Sequence, residues 1–146
     1  MSDEELIEAI IARMRRVAVV GMSRDPAKAA GGTPLNLMRL GYEVIPVNPS
    51  TTEIAGMRSY PSLAKVPGQI DVVDVFRPSK DAARVAREAV QVGAGAIWLQ
   101  LGIVSEEARA AAADAGIPFV QDACLWVEAA RRNSRPGRQS ESPAGR

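Results

Sequence analysis

Val17-Ala18-Val19-Val20-Gly21-Met22-Ser23-Arg24-Asp25-Pro26 is an unbroken apolar run that stops at a glycine and opens into a polar loop. The run is continuous in apolar character rather than alternating, as in a parallel strand buried on both faces. Three more runs stand downstream, Val44 to Val47, Val72 to Phe76 and Ala96 to Leu99, with a fifth at Pro118 to Val120. Their starts are spaced by about 22 to 28 residues, which leaves room for a crossover helix each time. The spacing therefore predicts a βαβα rhythm and an α/β fold of three layers around a five-stranded, mainly parallel sheet.

The intervening segments carry helical signals. Ser79 is placed to cap a helix with Ala82, Val85, Ala86, Ala89 and Val90 on one stripe, and Arg84, Arg87, Glu88 and Gln91 on the other. Ser105 is placed to cap the next, whose narrow alanine stripe implies close contact with the sheet. Ser2 and Glu5 have capping-box spacing ahead of Leu6, Ile7, Ile10 and Ile11, predicting an N-terminal helix over 3–15. The stretch 133–146 is rich in Ser, Pro, Gly and Arg and nearly devoid of apolar residues, so it reads as a disordered tail behind a single domain over 1–132.

Composition narrows the chemistry. With 18 basic against 17 acidic residues the net charge is +1, which offers no general electrostatic grip on nucleic acid. No apolar stretch approaches the roughly 18 residues of a membrane span, and the acidic N-terminal segment is unlike a secretory signal. Cys124 is the one cysteine, so an internal disulfide is excluded and a cytoplasmic setting is expected. Histidine is absent, which removes Ser-His-Asp and Cys-His catalysis, the usual zinc sites and phosphohistidine chemistry. Of the paired carboxylates, Glu106 and Glu107 fit a helix's first turn, while Asp74 inside an apolar run needs a hydrogen-bonded partner or a nearby sheet end.

In an open parallel sheet a ligand sits beyond the carboxyl ends of the strands, so the segment after Val20 is the first place to look. Gly21 lets the backbone approach a ligand, Gly31 and Gly32 give a flexible run-in, and Thr33-Pro34 reads as N-cap and first turn of the next helix. Arg24 and Lys28 add positive charge near that helix start, which suits an anion. The loop is not a G-x-G-x-x-G turn, because Ser23 holds the second glycine position, and it contains no GK[ST]. The second run ends in Val47-Asn48-Pro49, where an NAD-binding domain places an acid on the ribose hydroxyls. An uncharged Asn there tolerates a phosphate on the ribose, as in NADP or coenzyme A.

The ordered segments Gly21-Met22-Ser23-Arg24-Asp25-Pro26, Gly41 to Pro49, Tyr60-Pro61-Ser62-Leu63, Asp71 to Pro78, Trp98 to Ile103 and Asp122-Ala123-Cys124-Leu125 resemble the small single-domain CoA-binding proteins. That family is similar to the CoA-binding N-terminal domain of the succinyl-CoA synthetase alpha subunit, so the resemblance implies a Rossmann-like fold binding coenzyme A or an acyl-CoA at the strand ends. On the matching positions it implies that Gly21, Ser23 and Arg24, with Lys28, border the pyrophosphate. Val47, Asn48 and Pro49 would flank the adenosine, Phe76, Arg77 and Pro78 would line the cleft after the third run, and Gln100 and Gly102 would do so after the fourth. Two positions depart from the family's pattern: Ala123 stands where Arg is common, and Ala129 stands where a His often follows Glu128. The synthetase reaction needs a phosphorylated histidine and a grasp-type partner domain, so a binder rather than an enzyme is expected, with a small-molecule ligand and neither nucleic acid nor membrane as partner. Two rival expectations are an NADP- or other nucleotide-dependent oxidoreductase using the same cleft, and an interaction protein regulated through the Cys124 thiol.

Overall fold

The computed structural model describes residues 1–133. Helix α1 (Asp3–Arg13) begins with the expected capping box, in which Ser2 Oγ accepts the Glu5 N–H and Glu5 accepts the Ser2 N–H. It ends two residues short of the expected 15, because the Arg15 and Arg16 N–H groups both donate to Asp71 Oδ2, at 3.0 and 2.8 Å. Those bonds hold the chain extended as it enters β1 (Arg16–Val20). Helix α2 (Ala29–Arg39) and β2 (Glu43–Val47) follow. A small antiparallel hairpin comes next, β3 (Glu53–Ile54) and β4 (Met57–Arg58), turning through Ala55 and Gly56 at φ 52° and 78°. After a 3₁₀ turn at Leu63–Lys65 come β5 (Val72–Val75), α3 (Ser79–Gln91), β6 (Ile97–Leu99), α4 (Glu106–Asp114), β7 (Phe119–Val120) and α5 (Leu125–Asn133).

The five expected strands form one sheet in the order β2-β1-β5-β6-β7, and every pairing in it is parallel. Pro46, which has no N–H to give, lies in β2 at the sheet edge, where its carbonyl accepts the Tyr60 N–H. Alternation sorts the strand side chains. Ala18, Val20, Val73, Val75, Ile97 and Leu99 face the alanine-rich stripes of α3 and α4. Val17, Val19, Val72 and Trp98 face α1, α2 and α5. The result is the three-layer Rossmann-like architecture expected from the spacing. Arg132, with no exposed side-chain surface, ties α5 to α1 through Glu4 and Glu8 and to its own helix through Glu128.

Three further helix ends differ from expectation. Helix α2 begins at Ala29 rather than at Thr33, so Gly31 and Gly32 lie inside its first turns and Pro34 lies within the helix. Pro34 has no N–H for the Ala30 carbonyl four residues back, and the Ser23 N–H takes that acceptor instead, at 3.0 Å. Helix α3 has Pro78, not Ser79, at its N-cap; the Ser79 hydroxyl accepts the Val104 N–H from the loop after β6. At the other end of the chain, Asn133 is the last residue of α5 and its amide donates to the Tyr42 hydroxyl and the Ala129 carbonyl. It therefore belongs to the folded part, and the rest of the expected tail lies outside the described residues.

Candidate functional site

The chain leaves β1 toward β2 on one side and later returns to pair β5 on the other, so the topological switch point lies between the carboxyl ends of β1 and β5. A cleft of about 670 Å³ opens there. Its walls are the β1 loop from Val20 to Asp25, the β2 loop from Val47 to Thr51, Pro61 and Ser62 ahead of the 3₁₀ turn, and Arg77, Arg84 and Glu88 on the α3 side.

Gly21 is needed where it stands. Its φ of +88° is a left-handed conformation that favours glycine, and its N–H extends the ladder to the Val47 carbonyl at 2.9 Å. A Cβ there would meet Arg77 Cδ at 3.0 Å and the Phe76 carbonyl oxygen at 3.2 Å, so the aliphatic stem of Arg77 lies directly over the bare backbone. Thus two segments 56 residues apart in the chain, taken from β1 and β5, form one surface. Ser23 supports the loop from within, its hydroxyl accepting the Asp25 N–H while its own N–H is held by Ala30. Arg24 is exposed on the cleft wall and makes no ion pair among the described residues. Helix α2 presses against this loop without side chains between them: a Cβ on Gly31 would fall 2.1 Å from the Asp25 carbonyl oxygen, and one on Gly32 2.7 Å from that of Pro26.

Asn48 joins the two loops. Its amide donates to the Met22 carbonyl at 3.0 Å and accepts the Ser50 N–H at 2.7 Å, which fixes the β2 loop beside the β1 loop. Arg77 lines the cleft and also pairs with Asp81 one turn into α3, at 2.9 Å, so the salt bridge and the site position coexist. An arginine has five donors in a fork, and this pair uses one of its terminal nitrogens.

Of the residues expected to hold a ligand, Gly21, Ser23, Arg24, Val47, Asn48, Pro49 and Arg77 come together on the cleft walls. The other five are placed elsewhere. Lys28 is the exposed N-cap of α2, and Pro78 is the exposed N-cap of α3. Phe76 packs against the core beneath α2 and α5. Gln100 is buried, and its side-chain oxygen accepts the Leu125 N–H at 3.0 Å, capping α5. Gly102 donates to Asp122 Oδ1 at 2.7 Å and so ties the loops after β6 and β7.

The cleft also contains residues that the sequence reading left unassigned. Ser50 and Thr51 line it from the β2 loop, Pro61 and Ser62 from the segment ahead of the 3₁₀ turn, and Arg84 and Glu88 from α3. Pro61 and Ser62 belong to a segment singled out by the family resemblance.

Outside the cleft, Asp74 faces the α1, α2 and α5 layer between Val72 and Phe76 and is 1% exposed. Its Oδ1 has no hydrogen-bond partner, and burial pushes its carboxyl well above the usual carboxylate range. Cys124 is half-buried just before α5. Among the described residues no cluster of His, Cys, Asp and Glu is placed to hold a metal ion, and no helix is long and apolar enough to cross a membrane.

Comparison with known proteins gives the same outline. The chain is 37% identical over 121 residues to the uncharacterized protein YneT of Bacillus subtilis (strain 168), a match covering 83% of this chain and 90% of that one. A solved structure of a hypothetical protein from Pyrococcus horikoshii OT3 superimposes with a TM-score of 0.85 at 34% identity, over 89% of this chain and 92% of the other. An ADP-forming acetate–CoA ligase II of Archaeoglobus fulgidus is 31% identical over 100 residues, which are 66% of this chain but only 15% of the ligase. The description "CoA binding domain" matches residues 15–130, from just before β1 into α5, and so spans the whole sheet and the cleft. The chain belongs to this CoA-binding domain family.

Proposed function

We propose that this protein binds coenzyme A or an acyl-CoA in the switch-point cleft and catalyses no reaction on it. The observation that carries the reading is the surface at Gly21, where Arg77 crosses a backbone with no side chain and Arg24 and Ser23 stand on the adjoining loop. The absent Cβ lets the Arg77 stem seat against the β1 loop, and the guanidinium groups of Arg77 and Arg24 on one cleft suit a pyrophosphate, since fork-shaped donors match phosphate oxygens. Pro49 and Pro61 offer exposed apolar surface for the adenine over the buried Val47, with the Ser50, Thr51 and Ser62 hydroxyls on the same cleft for the sugar.

The family supports CoA over other nucleotides, and the loop's lack of a dinucleotide glycine pattern argues against NADP. The absence of catalysis rests on this chain's own residues. It has no histidine to carry a phosphoryl group, and Cys124 has no histidine to act as its base. Its single cysteine suits the cytoplasm. Small molecules released by denaturing freshly purified protein and identified by mass test the reading: CoA or acyl-CoA is expected, and copurified NADP or flavin would overturn it.

A further inference from the structure

We infer that Arg84 reads a second phosphate of the ligand, the ribose 3′-phosphate that distinguishes CoA from dephospho-CoA, and that Glu88 holds the guanidinium until the ligand arrives. This rests on the CoA reading above. The α3 side of the cleft carries two ion pairs of the same kind, Arg77 with Asp81 at 2.9 Å and Arg84 with Glu88 at 3.2 Å, each spaced four residues apart. Arg77 stands just before the Pro78 N-cap of α3 and Arg84 in the second turn of that helix, so the two cations meet the cleft at different points. A nucleotide with a pyrophosphate on one side of its sugar and a phosphate on the other presents two anionic centres to match.

The position of Arg84 agrees with the 3′ side. Helix α3 packs against the 3₁₀ turn that follows Ser62, on the far side of the cleft from the β1 loop, whereas Arg77 lies over Gly21 at the end of β1. Asn48, the other polar residue of the adenosine side, has both ends of its amide committed to Met22 and Ser50 and serves to hold the loops together. Discrimination of a charged phosphate therefore falls to a cation. The side chains of Arg84 and Glu88 are 54% and 38% exposed, and an exposed pair of this spacing is weak and readily exchanged. A phosphate dianion offers the guanidinium more charge and more acceptor oxygens than Glu88 does, so the ligand displaces the carboxylate. Glu88, left facing the same cleft, repels the phosphate and lowers affinity.

Calorimetric titration of the full chain and its Arg84→Ala, Arg84→Lys and Glu88→Gln variants, with CoA and with dephospho-CoA, tests this. Wild type is expected to prefer CoA by about tenfold, the scale of one charge-assisted contact. Arg84→Ala should lose that preference by weakening CoA alone, Arg84→Lys should retain part of it, and Glu88→Gln should tighten CoA while leaving dephospho-CoA within about twofold. All four proteins should unfold at the same temperature without ligand, because the pair is on the surface. An Arg84→Ala variant that keeps the wild-type preference, or weakens both ligands equally, overturns the inference. Equal wild-type affinity for the two ligands also overturns it and leaves the CoA reading standing, whereas binding of neither removes both.

Discussion

Replacing Gly31 with alanine sets two physical effects against each other. Gly31 lies inside α2 and has no left-handed φ, so helix propensity alone makes Gly31→Ala stabilising by about 1 kcal/mol. Packing opposes it. The added Cβ would stand 2.1 Å from the Asp25 carbonyl oxygen, 2.7 Å from the carbonyl carbon and 3.0 Å from the Ser23 carbonyl oxygen. Carbon and oxygen normally approach to about 3.3 Å, so the loop has to retreat by roughly 1.2 Å, and the obstacle is backbone rather than a side-chain end. That retreat strains two bonds fixing the loop, Ser23 N–H to the Ala30 carbonyl at 3.0 Å and Lys28 N–H to the Asp25 carbonyl at 3.1 Å. Two bonds at about 1 kcal/mol each and an overpacking cost of about 1–3 kcal/mol, less about 1 kcal/mol of propensity, leave a net loss of about 2–4 kcal/mol. Urea unfolding followed by circular dichroism measures this directly. CoA affinity should fall as well, because the displaced loop carries Ser23 and Arg24. Gly32→Ala should cost less, since its Cβ meets a single oxygen at 2.7 Å. A Gly31→Ala protein as stable as wild type, or more stable, would refute the close helix-to-loop packing on which the cleft depends.

Asp74 and Arg132 provide two further tests. Burial raises the folded-state pKa of Asp74 above its unfolded value of about 3.9, so its contribution to stability is complete below that pH and is lost as pH rises toward the folded pKa. Asp74→Asn removes this dependence, and from about pH 5 upward the variant should gain on wild type by up to about 1.4 kcal/mol per pH unit until Asp74 ionises in the fold; parallel urea-midpoint curves would contradict the assignment. Arg132→Met keeps the apolar stem but leaves Glu4, Glu8 and Glu128 clustered with one cation fewer. It should lose about 2–4 kcal/mol, less than a fully buried pair would, because Glu4 reaches solvent, and hydrogen exchange should show α1 and α5 opening together. A change within about 0.5 kcal/mol would show that the cluster does not hold those helices.

The sheet was legible because buried parallel strands leave uninterrupted apolar runs, although the connection from β2 to β5 holds a hairpin and a 3₁₀ turn where the spacing predicts a crossover helix. The hairpin of β3 and β4 was not, since two-residue strands carry no pattern. The start of α2 was misplaced for a tertiary reason. Gly-Gly-Thr-Pro reads locally as a break followed by a helix start, but the glycines are there to admit the loop and the proline's unused acceptor is filled by Ser23. Ser79 and Gln100 look like a cap and a cleft residue in the sequence; in the fold each satisfies a backbone N–H of a segment about 25 residues away. The cleft's β1, β2 and β5 contributions followed from where strands end. Its α3 contribution did not, because Arg84 and Glu88 read as the solvent face of an amphipathic helix, and a cleft wall is also a solvent face.

Calorimetric titration of the purified chain with CoA and with NADP under the same buffer and salt tests the central claim most directly. One saturable site for CoA, with NADP at least about tenfold weaker, is the expected result. NADP binding as tight as CoA, or no heat with CoA from ligand-free protein, would contradict it.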